Sequence, residues 1–234
     1  LYCSFKEGFV GYKLKDADYV CECSCLDDII VFHRDGTFCV KRVCEKDFVG
    51  KDIIYVSTFK KNDERTTYNM VYQNGPYGRC YVKRFNVTSI IRDKDYDLTQ
   101  GVKGTSVLYF SANPNGEAEK ITVYLKAKPK IKKLSFEFDF ADVNIKGKSA
   151  HGNIISNNPV RRIGRKSDGI STLSARKVWY DDAIKKINSD ERGLSIGDFE
   201  AQDKILSITQ SGFYRISSLD FNLHFEDDTI VVEK

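Results

Sequence analysis

The sequence predicts an all-β fold of about five four-stranded blades, with six as the alternative, and three observations carry that prediction. Strand signals dominate: runs rich in Val, Ile, Tyr and Phe alternate with polar residues and break at Asn-Gly, Asp-Gly, Asn-Asn or Ser-Gly turns. No segment holds a helical period over three turns; Asp181 to Asn188 comes nearest, and it reads equally well as a turn followed by a strand. One hairpin design recurs: an apolar strand, a tight turn, and a returning strand that sets one or two cations beside apolar residues.

The copies follow in order. Ile29-Ile30-Val31-Phe32 turns at Asp35-Gly36 and returns through Val40-Lys41-Arg42-Val43. Asn69-Met70-Val71-Tyr72 turns at Asn74-Gly75 and returns through Val82-Lys83-Arg84-Phe85. Ile121-Thr122-Val123-Tyr124, with Pro129 near its turn, ends at Ile131-Lys132-Lys133-Leu134. Two closely spaced copies come next, Asn153-Ile154-Ile155 to Val160-Arg161-Arg162-Ile163 and Val178-Trp179-Tyr180 to Ile184-Lys185-Lys186-Ile187. The last runs from Ile205-Leu206-Ser207-Ile208 through Ser211-Gly212 to Tyr214-Arg215-Ile216. Such hairpins cannot bury an apolar face alone, so repetition implies stacking, as in propeller blades. A four-stranded blade takes roughly 40–50 residues, so the copies at 153–163 and 178–187 are assigned to one irregular blade. No Gly/Ser- or Pro-rich linker divides residues 1–234, and a single domain is expected.

Composition narrows the function classes. At 41% hydrophobic and 30% charged residues the chain can build a packed core, which excludes disorder. No apolar run is long enough to span a membrane, and no signal peptide opens the chain. Leu1-Tyr2-Cys3, without an initiator Met, reads as an internal cut in a longer protein. Seven cysteines, an odd number, without a secretion signal indicate reduced thiols and a cytoplasmic location. Cys21, Cys23 and Cys25 alternate as on one face of a strand. A zinc site is the sharper reading of them, but no Cys-x-x-Cys pair is present and His33 has no partner His at ligand spacing, so they read as small core residues. Trp179, between Val178 and Tyr180, reads as core. No metal and no cofactor is expected.

The net charge of +4 is modest, but it is unevenly spread. Lys120 to Lys186 holds sixteen Lys or Arg against six Asp or Glu, whereas Ser217 to Lys234 holds five acids against Lys234 alone. A basic middle fits a polyanion partner. Lys and Arg on outer strands also protect sheet edges from foreign pairing, and any single pair is explained by that role. Repetition favours the functional reading, because stacked blades would carry each pair to an equivalent place and build a curved cationic track for a phosphate backbone. The candidate DNA-contacting residues are therefore Lys41, Arg42, Lys83, Arg84, Lys130, Lys132, Lys133, Lys148, Arg161, Arg162, Arg165, Lys166, Arg176, Lys177, Lys185 and Lys186. No recognition helix or zinc finger stands out to read bases, so low sequence specificity follows.

Two rivals remain open on residues alone. A propeller can bind another protein through an exposed apolar face. A hydrolase would need convergent acids or a nucleophile with a base, yet His33, His151 and His224 fall in unrelated contexts, and Asp27-Asp28, Asp181-Asp182 and Asp227-Asp228 border strands or turns. No Gly-x-Ser-x-Gly elbow or phosphate loop is present, so no catalytic residue is assigned.

Several stretches resemble one family. Asp27 to Phe32 with Val40 to Val43 is similar to the repeat in the C-terminal domain of the gyrase and topoisomerase IV A subunits. Gly147-Lys148-Ser149-Ala150-His151-Gly152-Asn153 resembles that family's Gly-Arg-x-x-x-Gly element leading into a strand. Phe59 to Asp63, Arg84 to Thr88 and Asn113 to Glu119 add to the match, and their order resembles the topoisomerase IV-like A subunits of Bacteroidetes-type bacteria. The resemblance implies a β-pinwheel, a propeller-like disc whose rim binds and bends duplex DNA. It implies a non-catalytic part of an ATP-dependent type IIA topoisomerase, with the cleavage tyrosine in another region of the same polypeptide. The remaining partners would be the rest of that polypeptide and the ATPase B subunit, in the cytoplasm at the nucleoid. The Gln-Arg-Arg-Gly-Gly-Lys-Gly box of true gyrases is missing, so relaxation and decatenation are expected rather than negative supercoiling.

Overall fold

The computed structural model describes residues 1–127, 129, 131–200 and 203–234. The chain opens with three short strands, β1 (Tyr2–Ser4), β2 (Phe9–Gly11) and β3 (Asp18–Tyr19). Next come β4 (Asp28–His33), β5 (Thr37–Arg42), β6 (Asp47–Phe48), β7 (Ile53–Phe59), β8 (Thr67–Gln73), β9 (Cys80–Asn86) and β10 (Tyr96–Asp97). The middle of the chain supplies β11 (Ser106–Asn113), β12 (Glu117–Leu125), β13 (Ser135–Asp139), β14 (Ile145–Gly147), β15 (Asn153–Ser156) and β16 (Val160–Ser171). The last third supplies β17 (Arg176–Asp181), β18 (Lys186–Asn188), β19 (Leu194–Phe199), β20 (Lys204–Thr209), β21 (Tyr214–Ser218) and β22 (Thr229–Glu233). Among the described residues the helical content is one 3-10 turn, Phe140–Asp142. The fold is all-β.

These strands form six small sheets, ordered β3-β1-β2-β6, β10-β5-β4-β7, β11-β8-β9-β14 (with β15 also on β9), β13-β12-β16, β18-β17-β19 and β21-β20-β22. Two compact units result, Leu1–Gly169 and Ile170–Lys234. Within the first unit the sheets stack face to face, because successive strand residues point to opposite sides. Ile29 and Val31 of β4 enter a core with Cys3, Val10 and Cys39. Ile30 and Phe32 of the same strand enter the next core, with Tyr68, Met70, Tyr72 and Phe85. Val71 and Val82 face a third, with Ile121, Val123 and Phe140. A strand buried on both faces reads as a continuous apolar run, as Ile29 to Phe32 does. In the second unit Val178, Tyr180, Phe199, Ile205 and Phe225 form one core.

Each hairpin gives its returning strand an outer edge of unpaired amides and carbonyls, a liability proteins cover or blunt. Here the cover comes from beyond the following hairpin. β6 covers β2, with Phe9 opposite Phe48 and Val10 opposite Asp47. β10 covers β5, with Phe38 opposite Tyr96 and Thr37 opposite Asp97. β9 takes two covers: β14 runs parallel along Arg84 to Asn86, and β15 antiparallel along Cys80 to Val82.

That arrangement corrects several expectations. Residues 153–163 are not a hairpin, nor part of one blade with 178–187: β15 is spent on β9, and β16 joins β12. The third hairpin returns through β13, which starts at Ser135, so Ile131 to Leu134 lies in the connection. The clean alternation Ser135-Phe136-Glu137-Phe138-Asp139 outcompetes the lysine-bearing stretch before it. The β1–β2 hairpin carries no basic pair and escaped the pattern. Cys21 to Cys25 is not a strand, although Cys21 and Cys23 do pack against the first core. Trp179 is half-exposed, and its neighbours Val178 and Tyr180 are the buried ones.

The double cover over β9 buries the pair Lys83 and Arg84, which are 1% and 2% exposed. Lys83 Nζ donates to the carbonyls of Leu98 (2.8 Å) and Lys148 (2.9 Å). Arg84 Nε donates to Asn69 Oδ1 (3.0 Å), and its terminal nitrogens reach the carbonyls of Gly116, Glu117, Phe140 and Val143. Glu119, also buried, accepts from Asn69, Tyr109 and Ser111. The loop 147–152 passes directly over this site. Gly152 sits at φ +92°, where a Cβ would lie 2.5 Å from the Val82 carbonyl oxygen.

At this crossing, Gly152→Ala combines left-handed backbone with a clash against a main-chain oxygen, and should lower unfolding free energy by about 1–3 kcal/mol in denaturant melts. Burial pulls the Lys83 ammonium down to about 8 from its ordinary 10.5, with Asp97 opposing. The unfolded chain therefore binds the extra proton between those values, so the penalty of burying the charge is full below pH 8 and is relieved as pH rises. The stability of the parent chain minus that of Lys83→Met should climb between pH 8 and 10.5, by about 3 kcal/mol at most. A flat difference would remove the burial account.

Candidate nucleic-acid interface

The sixteen candidate cations meet different fates, decided by what covers the strand that carries each one. Lys83 and Arg84 are a correction: they lie inside the first unit, bonded to carbonyls, and present nothing to a phosphate. Lys130 lies outside the described residues. On β5 the cover β10 pairs with Thr37 and Phe38, and the Asp93 amide just before it donates to the Val40 carbonyl (2.9 Å), while no strand among the described residues pairs with Lys41 and Arg42 from that side. Arg42 is exposed there and Lys41 half-buried. Arg42 pairs with Asp28 (2.9 Å), which also holds Arg92 (3.0 Å), while Lys41 pairs with Asp47 (2.8 Å). Lys148 is half-buried, tied to the Ser89 carbonyl (2.8 Å) with its ammonium near the Tyr96 ring.

The fourth sheet, β13-β12-β16, gathers the densest group. Arg161, Arg162, Arg165 and Lys166 are all exposed on β16, and Lys132 and Lys133 are exposed in the connection leading to β13. The Arg162 guanidinium lies over the Tyr124 ring at 4.3 Å from the centroid, a cation–π contact that holds it on the strand surface. Lys166 pairs with Glu137 and Arg165 with Asp168 (3.0 Å). Lys120, on β12 of the same sheet, pairs with Asp139 (3.0 Å). Sequence reasoning missed Lys120 as a site residue because it precedes the apolar run of its strand, although a lysine interrupting Ala118 to Val123 marks a solvent-facing position. Arg161 has no carboxylate within ion-pair distance among the described residues. The ion pairs that do form join exposed groups and are worth about 0–1 kcal/mol each, little enough for a phosphate to displace the carboxylate.

In the second unit Arg176 stacks on Phe221 at 4.0 Å and donates to Ser189 Oγ (2.9 Å), Lys177 is exposed, Lys185 pairs with Asp182, and Lys186 is half-buried. The units differ in charge: Leu1–Gly169 carries 29 Lys and Arg against 21 Asp and Glu, and Ile170–Lys234 carries 8 against 12. The acids of the C-terminal segment have local work. Asp228 accepts from the Ser211 hydroxyl (2.6 Å) and amide (3.2 Å) across the last hairpin turn, and Asp220 accepts from the Asn222 amide (2.9 Å). β22, Thr229–Glu233, follows directly on these acids and pairs with β20.

Among the described residues no group of three or more His, Cys, Asp or Glu is placed to hold a metal ion, and no helix is long and apolar enough to cross a membrane.

Comparison with known proteins sets this surface in a family. The family model described as "Topoisomerase C-terminal domain, Bacteroidota" matches residues 1–168 and 186–234. The A subunit of DNA topoisomerase 4 from Borreliella burgdorferi is 25% identical over 164 residues, covering 70% of this chain and 24% of that protein. The chain thus spans about a quarter of the length of that relative. A crystal structure of the C-terminal domain of DNA topoisomerase IV aligns over 94% of this chain and 83% of its own, at 15% identity and a TM-score of 0.47. A structure of the DNA gyrase A C-terminal domain aligns over 97% and 92%, at 12% identity and a TM-score of 0.31. With nearly all of its length matched by the family model, this chain belongs to the Bacteroidota topoisomerase C-terminal domain family.

Proposed function

We propose that this chain binds duplex DNA through its cationic strands and works as the non-catalytic C-terminal domain of the A subunit in a type IIA topoisomerase. The observation that carries the reading is the fourth sheet, where Arg161, Arg162, Arg165, Lys166, Lys132 and Lys133 lie on one three-stranded sheet and its connection. Side chains alternate across β16, so Arg162 and Lys166 share one side and Arg161 and Arg165 the other. A duplex backbone running along the strand edge would meet both, neutralising phosphates and releasing counterions without reading bases. Contacts of that kind carry no sequence information, so low sequence specificity belongs to this reading. Lys41, Arg42 and Lys148 in the first unit, and Arg176, Lys177, Lys185 and Lys186 in the second, extend the contact. In this reading residues 1–234 act as one pinwheel domain, and DNA that follows its rim is bent at a cost on the order of 1–6 kcal/mol, offset by the added contacts. The bent segment is presented to a cleavage core whose tyrosine lies elsewhere in the parent polypeptide. The B subunit supplies ATP turnover for relaxation and decatenation in the cytoplasm, at the nucleoid.

Arg161→Glu with Arg162→Glu should weaken duplex binding severalfold and reduce the slope of log affinity against log salt by about 2, near 0.9 per lost phosphate contact. The melting temperature should hold, because both side chains are exposed. Unchanged affinity and slope would take the fourth sheet out of the interface. Ligation of short duplexes into circles reads curvature directly. The chain should raise circle yield on duplexes shorter than the persistence length of about 150 base pairs, and binding without any gain in circles would refute bending while leaving the cationic surface in place.

A further inference from the structure

The returning strand of the last hairpin, β21, ends its sheet with an open edge among the described residues. Its side chains are unlike those of other returning strands. Tyr214 is 74% exposed and Ile216 64% exposed, with the half-exposed Arg215 between them, and Phe213 in the turn just before the strand is 74% exposed. An edge with a run of large apolar residues and a single charge lacks the usual protection against foreign pairing. β13 is also terminal in its sheet, but its Phe136 and Phe138 are half-buried.

The chain itself shows what such an edge accepts. β2 and β5 each receive a two-residue strand in which an aromatic residue adjoins an aspartate, Asp47-Phe48 and Tyr96-Asp97. In both, the incoming aromatic pairs across the strands with an aromatic near the start of the returning strand. Phe48 meets Phe9 edge to face at 5.3 Å, and Tyr96 stacks on Phe38 at 5.1 Å. Such pairs add about 0.5–1.5 kcal/mol beyond their buried area. In the second unit the edge of β18 is met by His224 opposite Lys186, with the Phe225 amide donating to the Lys185 carbonyl (2.9 Å). On β21 the aromatic position is occupied by Tyr214, and no strand among the described residues pairs with it from the open side. A half-open cavity of about 250 Å³ lies beside it, lined by Ser207, Thr209, Phe213, Tyr214, Arg215, Phe225 and Glu226.

We propose that β21 is a docking edge for a short extended segment of another protein chain, in which an aromatic residue adjoins an aspartate. The segment adds antiparallel to β21, its aromatic ring stacks on Tyr214 beside the cavity, and its carboxylate meets Arg215, whose partner in the free chain, Glu226, stands at a loose 3.8 Å. Main-chain hydrogen bonds supply affinity and the aromatic pair supplies selectivity, as in strand addition generally. This edge uses none of the candidate DNA-contacting cations, and it stands whether or not the chain binds DNA.

The test uses the whole chain with a peptide copying residues 44–51, the chain's own cover for β2, with Cys44→Ser. Amide chemical shifts are followed to about 5 mM peptide, a range that reaches the weak affinities expected of short strand-adding segments. Saturable shifts should concentrate on Phe213 to Ser218. Tyr214→Ala, an exposed position that leaves the core intact, should weaken the binding at least about fivefold, as should replacing the peptide phenylalanine with alanine, each removing one aromatic pair. Salt should weaken it little, in contrast to DNA binding. Absence of shifts at β21 over that range overturns the proposal. So does concentration-dependent dimerisation of the chain through β21 without peptide, which would assign the edge to a second copy.

Discussion

Everything in this fold depends on how the outer edge of each returning strand is satisfied. A hairpin is a local event: a turn residue reverses the chain and two apolar strands pair. It leaves one strand with a row of unpaired main-chain groups, and in this protein the missing partner is delivered from beyond the next hairpin. β6 reaches back to β2, β10 to β5, and β14 with β15 to β9. Each of the first three sheets is thus completed only once its successor exists. The stack in Leu1–Gly169 is tied together by main-chain hydrogen bonds as well as by the apolar faces between sheets.

That division explains what was legible in the sequence. The hairpins Asp28–Arg42, Thr67–Asn86 and Lys204–Ser218 announce themselves through alternation and through Asp35-Gly36, Asn74-Gly75 and Ser211-Gly212, all within a short stretch of chain. The covers do not. A two-residue strand such as Tyr96–Asp97 has no period to detect, and β15 looks like half of a hairpin because its partner β9 lies far earlier in the chain. The same blindness affected the site. Val40-Lys41-Arg42-Val43 and Val82-Lys83-Arg84-Phe85 are nearly one motif, yet Arg42 is exposed and Arg84 is buried. The difference is set by the reach of the cover. The cover of β5 ends with the Asp93 amide on the Val40 carbonyl, short of Arg42, whereas β14 and β15 close over β9 from both ends. No inspection of four residues can show that.

The electrostatics follow from the same geometry. Buried cations must be bonded or neutralised, and Lys83 and Arg84 draw their partners from carbonyls that the crossing loop and the 3-10 turn leave free. They are staples, and their charge is spent inside the molecule. On β16 no covering strand intervenes among the described residues, so its arginines stay at the surface, with Arg165 in an exposed ion pair to Asp168. Tyr124 beneath Arg162 limits the conformations that guanidinium must give up on meeting an anion, which favours it over a free lysine at the same place.

The acidic C-terminal stretch has a different use for its charge. Its carboxylates could have screened the cationic strands, and their number alone allows that. Asp228 is instead committed to the Ser211 turn and Asp220 to its own loop, which is the ordinary use of aspartate in turns. The second unit is therefore negative for reasons of local folding, while the first holds a surplus of eight cations over acids. A polyanion meeting this chain finds its attraction concentrated in the first unit. The second offers a weakly charged strand edge, with Tyr214 and Ile216 exposed along it. Surfaces of such different chemistry are suited to different kinds of partner.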